Sequence, residues 1–256
     1  STTEFNTPEW AKVTTHTNGT WICDRPWPEI EMFLPMAMLT NQRDARYYEF
    51  ETQFLRSALL FWPLEHANIS LRLLFDEDLI DDRRHIYNMI VDTFKPFAKR
   101  WTGGMHFTSS PASPYYHYGG ERQQLMMLWA DNFTTSEYVA FVDSDTVFLT
   151  YIDREDLFED GKPVINGRSG PSIDPAWTSA PLGTYNFLGG IEEVMRCMSY
   201  FPVIIKTSHL KDLREFVIKQ HGNNSTFDEI FFDQVGKYRA WQFNYMCTYL
   251  FYFKHN

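Results

Sequence analysis

Apolar residues in the first half of the chain follow two alternating rhythms. EMFLPMAMLT (31–40) is an almost unbroken apolar run that closes on polar Thr40, Asn41 and Gln42, the mark of a buried strand ending in a loop. RYYEFETQFLRSALLFW (46–62) then sets Tyr47, Phe50, Phe54, Leu55 and Ala58 at helical spacing, and Pro63 stops it. ISLRLLF (69–75) returns to a strand pattern and runs into the acidic stretch DEDLIDD (76–82). HIYNMIVDTFKPFAKRW (85–101) predicts a second amphipathic helix, MHFTS (105–109) a short strand, and ERQQLMMLWADNF (121–133) a third helix. EYVAFVDSDTVF (137–148) is a strongly apolar strand that ends in acid.

Strands alternating with helices, each strand of buried character, predict an α/β fold with a mixed, mainly parallel sheet flanked by helices. In such sheets ligands sit beyond the carboxyl ends of the strands. The loops at 40–43, 76–82, 109–120 and 143–146 are therefore expected on one rim. The second half is less regular: KPVING (162–167), a Gly/Pro/Ser loop (167–184), YNFLGG (185–190), a helix expected through IEEVMRCMSYF, then VIIKTSHLKDLREFVIKQHG. No flexible linker separates the halves, so residues 1–256 read as a single body.

Composition narrows the function. The chain has 256 residues, 23 Lys and Arg against 33 Asp and Glu, and a formal charge of −10, the opposite of a phosphate-backbone binder. No apolar run reaches the ~18–20 residues of a membrane span. Cys23, Cys197 and Cys247 show no disulfide or zinc spacing and read as buried free thiols. No secretory signal is legible, while N-x-S/T sequons stand at Asn18, Asn68, Asn132, Asn223 and Asn224. A cytoplasmic or Golgi-lumenal soluble domain fits either way.

Two D-x-D pairs occur, Asp76/Asp78 and Asp143/Asp145. The first lies in a wholly polar loop. The second terminates the apolar strand YVAFV and is followed at once by TVF, so its carboxylates are expected in the ligand crevice. Two acids held so close repel, a cost that a shared hard cation such as Mn²⁺ or Mg²⁺ removes while also binding a ligand's phosphates.

FVDSDTVF, preceded by a helix and an apolar strand, resembles the D-x-D element of nucleotide-sugar glycosyltransferases of the GT-A fold. RQQLMMLWADNF, KPVINGRSGP and WQFNYMCTYLFYFKH resemble members from algae, protists and large viruses, loosely over 31–255. The resemblance implies a GT-A-like fold whose first half (about 31–165) binds a nucleoside diphosphate sugar and whose second (about 166–256) shapes the acceptor pocket. It implies metal binding by Asp145, with Asp143 on the metal or the ribose and Ser144 between them, and a third metal ligand at His255. Thr40, Asn41 and Asp76 fall where base and ribose are held, and an acid at Asp76 would favour uridine. Arg122 and Gln123 fall where the diphosphate or sugar is met. Gly189, with Gly190 after YNFL, either lets backbone approach the donor sugar or makes a simple turn.

Inverting transfer to a glycan hydroxyl needs a carboxylate base, sought in STFDEIFFDQ at Asp228 or Glu229; relatives carry an acid in a later stretch where this chain has Gln242. Retention would need no base there. The implied donor is a UDP-sugar, with small donors such as UDP-xylose among those that fit. Two other classes compete. DSDTV also matches the nucleophile motif of haloacid-dehalogenase-like phosphatases, with Asp143 as nucleophile, although that family carries the motif on its first strand. A non-catalytic glycan-binding module is the other; Tyr115, Tyr116, Tyr118, Trp177, Tyr185 and Trp241 offer rings that stack on sugar faces, with core packing the default for most of them.

Overall fold

The computed structural model describes residues 26–36, 48–76, 84, 87–89, 92–93, 102–110, 119–168, 180–197, 200–238 and 241–254. Its centre is a five-stranded sheet in the order β3-β2-β1-β4-β7. The strands are β1 (Ile30–Met36), β2 (Ile69–Asp76), β3 (Met105–Ser110), β4 (Tyr138–Phe141) and β7 (Val203–Lys206); β5 (Phe158–Glu159) and β6 (Lys162–Pro163) form a separate small ladder. The first four are parallel and β7 runs antiparallel to β4. This is the mixed, mainly parallel α/β sheet that the alternating pattern predicts. The chain steps outward from β1 to β2 to β3, then jumps back to place β4 on the other side of β1. Such a reversal opens a crevice at the carboxyl ends of the strands.

Alternation along the strands divides the core into two layers. Ile30, Met32, Leu34 and Met36 point to one face, where they meet Phe50, Phe54, Leu55, Trp62 and Phe148. That cover is the segment predicted over 46–62: a π-helical turn, Phe50–Leu55, followed by α1 (Arg56–Phe61). Phe50, Phe54 and Ala58 are fully buried, as their spacing predicts, and Trp62 turns extended before Pro63. Each such aromatic contributes roughly 1.5–3 kcal/mol by leaving water.

The other face carries Phe33, Leu74, Val139, Phe141, Val203 and Ile205 under five helices. They include α2 (Gly119–Leu128), α4 (Ala180–Phe187), α5 (Ser208–Gln220), α6 (Phe227–Tyr238) and α7 (Gln242–Phe253), with the short α3 (Arg154–Leu157) elsewhere in the chain. Of the predicted 85–101 helix, residues 87–89 and 92–93 are helical and the remainder lies outside the described residues.

Three expectations for the second half are corrected. The helix expected through IEEVMRCMSYF is absent over its described residues: 191–197 form an extended strap. The amides there are satisfied by other partners, Val194 N by Thr248 Oγ1 (3.5 Å), Cys197 N by Asn244 Oδ1 (3.3 Å) and Arg196 N by the Arg168 carbonyl (3.0 Å). A segment whose N–H groups are met from outside has no need of a helix. The loop expected to run to 184 gives way to α4 from Ala180, because Pro181 falls in a first turn where its missing N–H costs nothing.

The thiols are the third correction. Cys197 and Cys247 are joined in a disulfide, with Cα atoms 6.4 Å apart, that fastens the strap to α7. The pairing follows from how the strap lies on the helix, which sequence spacing does not reveal. In the chain-entropy account, closing this 50-residue loop stabilises the fold by about 4 kcal/mol.

Candidate active site

The carboxyl ends of β1, β2, β3 and β4 form one rim, as parallel pairing requires. At the end of β4 the chain folds into a tight turn. Thr146 N donates to the Asp143 carbonyl (3.0 Å), and Asp143 N donates back to Thr146 Oγ1 (3.0 Å). Thr146 is buried, and beyond it Phe148 N donates to Ser57 Oγ (3.0 Å), which pins the segment to α1. Ser144 is half-buried within the turn and Asp145 projects into solvent. A rigid reciprocal turn thus presents two carboxylates from one short stretch.

Helix α2 starts on this rim and runs down the sheet, its face of Leu125, Met126 and Leu128 in the core. Gln123, in its first turns, donates from Nε2 to Asp143 Oδ1 (3.1 Å). Arg122 is buried at 8% exposure, and its Nη2 reaches Ser110 Oγ (3.3 Å) at the end of β3. Ser110 in turn is the sheet neighbour of Asp76, the last residue of β2. The structure therefore gathers Gln123, Asp143, Ser144 and Asp145 at one point of the rim, and Arg122 with the end of β2 beside it. The Arg122 guanidinium thus lies largely out of solvent at the end of β3.

Thr40, Asn41 and His255 lie outside the described residues, as do most of the 76–82 and 109–120 loops. Gly189 lies elsewhere, past the end of α4. Its φ of +69° and a would-be Cβ only 2.7 Å from Gln220 Cβ both demand glycine there, for helix closure and close contact with α5.

The two carboxylates expected to act as base are engaged in the fold. Asp228 Oδ1 accepts the indole N–H of Trp129 (2.8 Å). Trp129 follows α2 six residues beyond Gln123, about 9 Å along the helix away from the rim. The same indole lies under the Arg214 guanidinium (3.9 Å), which grips both oxygens of Asp131 at 2.6 and 2.7 Å. Glu229 closes a capping box: its carboxylate accepts Thr226 N (2.7 Å), and its own N–H donates to Thr226 Oγ1 (3.3 Å). Gln242, at the first turn of α7, is 2% exposed and donates to Met127 Sδ (3.0 Å).

Two polar groups escaped sequence reading. Glu193 in the strap accepts Thr184 Oγ1 (2.7 Å) and Asn244 Nδ2 (3.0 Å), and burial raises its carboxyl above the usual range. Glu31, within the apolar run of β1, is 1% exposed and bonded to Arg72 Nε (2.7 Å) on β2. The polar alternation of Ser70 and Arg72 in ISLRLLF was the available clue, since those residues need a partner on the same face.

Among the described residues no cluster of three or more His, Cys, Asp or Glu is placed to hold a metal. The Asp143–Asp145 pair still suits Mg²⁺ or Mn²⁺, which keep several waters and substrate phosphates and take only one or two protein carboxylates. No helix among the described residues is long and apolar enough to cross a membrane.

No protein-family model matches the chain, and no curated protein does either. Among solved structures, the crystal structure of mouse xyloside xylosyltransferase 1 in its apo form aligns over 82% of this chain and 81% of its own, at 14% identity and a TM-score of 0.38. At that distance the likeness decides nothing about this chain's chemistry.

Proposed function

We propose that this chain is a divalent-metal-dependent glycosyltransferase of GT-A-like fold that moves a sugar from a UDP-sugar to a glycan hydroxyl. The acidic turn at the end of β4, with Asp143 bonded to Gln123 and Arg122 buried nearby, supports this function. A protein of charge −10 can hold a diphosphate only where its own negative field is locally reversed. Asp143 and Asp145 would hold the Mn²⁺ or Mg²⁺, and the ion's chemistry is Lewis-acid neutralisation of the departing diphosphate. Arg122 and the first turn of α2 would add positive potential for the same oxygens. Gln123 fixes the Asp143 carboxylate, so the site meets the donor already organised.

A donor screen tests the reading. UDP-glucose, UDP-galactose, UDP-xylose and UDP-N-acetylglucosamine are each incubated with the chain and Mn²⁺, and UDP release is followed. Release from at least one donor, lost in D145A, supports the proposal. Inorganic phosphate release from sugar phosphates without any acceptor, lost in D143N, would replace it with the phosphatase reading.

A further inference from the structure

We infer that the chain matures in an oxidising, glycosylating lumen and carries N-linked glycans on Asn132 and Asn224. Two independent features converge on this. The first is the Cys197–Cys247 bridge, whose sulfur-bearing residues are 0% and 4% exposed. Disulfides of this structural kind form and persist where the surroundings are oxidising. Here the two thiols give up two protons and two electrons to the disulfide of a thiol oxidoreductase, which leaves as a dithiol. Burial then removes the bridge from reductants, so it has to form while the chain is folding.

The second feature is where the sequons end up. Asn224 stands in the exposed stretch 222–226 between α5 and α6, and its side chain makes no hydrogen bond to another described residue. Its neighbour Asn223 is instead used to close α5, with φ +60° and its N–H on the Ile218 carbonyl (3.1 Å). Asn132 is exposed at the end of the tight turn Ala130–Asn132, on the connection into the start of β4 and so beyond the opposite end of that strand from Asp143. Its side chain also makes no hydrogen bond to another described residue. Asn68, by contrast, donates its amide to the Trp27 carbonyl (2.7 Å) and holds the segment before β1. These two amides can bear a glycan without disturbing a hydrogen bond among the described residues.

In the transfer, Asn Nδ2 loses a proton and bonds to the anomeric carbon of a lipid-diphosphate-linked oligosaccharide. The anomeric C–O bond breaks, and the lipid diphosphate leaves with its electron pair.

The test is to make the chain in eukaryotic cells in two forms, one led into the secretory lumen by a cleavable leader and one left in the cytosol. Lumenal chain is digested, treated with peptide-N-glycosidase and mapped for Asn→Asp conversion, and denatured chains are titrated for thiols without reductant. Conversion at both Asn132 and Asn224, lost in N132Q and N224Q respectively, together with two fewer free thiols per lumenal chain than per cytosolic chain, is the expected result. Absence of conversion at either asparagine, or equal thiol counts in the two forms, overturns the inference.

Discussion

Gln123 Nε2 donates to Asp143 Oδ1 across 3.1 Å, joining the start of α2 to the turn at the end of β4. A hydrogen bond to a charged acceptor is worth about 1.5–3 kcal/mol. In a half-open site its main effect is on carboxylate orientation. Q123A is expected to lower kcat/KM for the UDP-sugar about ten-fold while leaving the melting temperature nearly unchanged, and Q123E more, since it sets a like charge against Asp143. Steady-state UDP release measures both. Unaltered turnover in Q123A would mean that Gln123 does not orient Asp143 for the reaction.

Asp228 separates a structural carboxylate from a catalytic one. D228A is expected to destabilise by about 1 kcal/mol through loss of the Trp129 bond. D228N keeps an Oδ1 acceptor and should restore both stability and turnover. A base could not survive that exchange, so collapse of kcat in a fully folded D228N would return Asp228 to the chemistry. E229A should cost about 1 kcal/mol as a lost capping box, again without a turnover defect per folded molecule.

Glu31 and Arg72 lie between β1 and β2, with side-chain exposures of 2% and 15%. Removing Arg72 leaves the buried carboxylate with only the Ser70 hydroxyl (3.3 Å) and the His106 ring (3.8 Å) beside it, and about 3–5 kcal/mol is typical for breaking a buried pair. R72M should therefore lower the urea midpoint steeply, and the double variant E31M/R72M should recover much of the loss. Equal midpoints for R72M and the double variant would mean that the pair is not coupled.

Glu193 gives the fold a pH signature. Desolvation raises its carboxyl, and Thr184, Arg196 and Asn244 offset part of the shift. A carboxyl that holds its proton more tightly folded than unfolded makes stability fall as pH rises from the ordinary Glu value through the raised one. E193Q retains an acceptor for Thr184 and Asn244, so it should flatten that decline and match or exceed the parent at neutral pH. Melting temperatures from pH 4 to 8 provide the comparison, and a steeper decline in E193Q would contradict the assignment.

The sheet was readable because its strands carry long apolar runs and its helices a clear period, as Phe50, Phe54 and Ala58 show by their burial. Asp143 stood out for the same reason: an acid pair directly after YVAFV is a local break in a strong pattern. The second half hid its structure in long-range contacts. The 191–197 strap has helix-like apolar spacing, yet Asn244, Thr248 and Arg168 satisfy its amides and Cys247 fixes its end. Glu31 was likewise concealed, since a lone acid in an apolar strand shows its purpose only when Arg72 is seen beside it. Asp228 and Glu229 offered acids at a helix start, a position that serves capping as readily as catalysis.

On the proposed function, the β4 turn binds a nucleoside diphosphate through a divalent ion. Thermal unfolding with UDP, with and without Mn²⁺, in the parent chain and in D145A reads that binding. Asp145 is exposed, so D145A should fold normally. UDP at one hundred times its dissociation constant should stabilise the parent by about 2.7 kcal/mol when Mn²⁺ is present. This shift should disappear in a chelator and in D145A. Equal stabilisation by UDP with chelator, or in D145A with Mn²⁺, would contradict it.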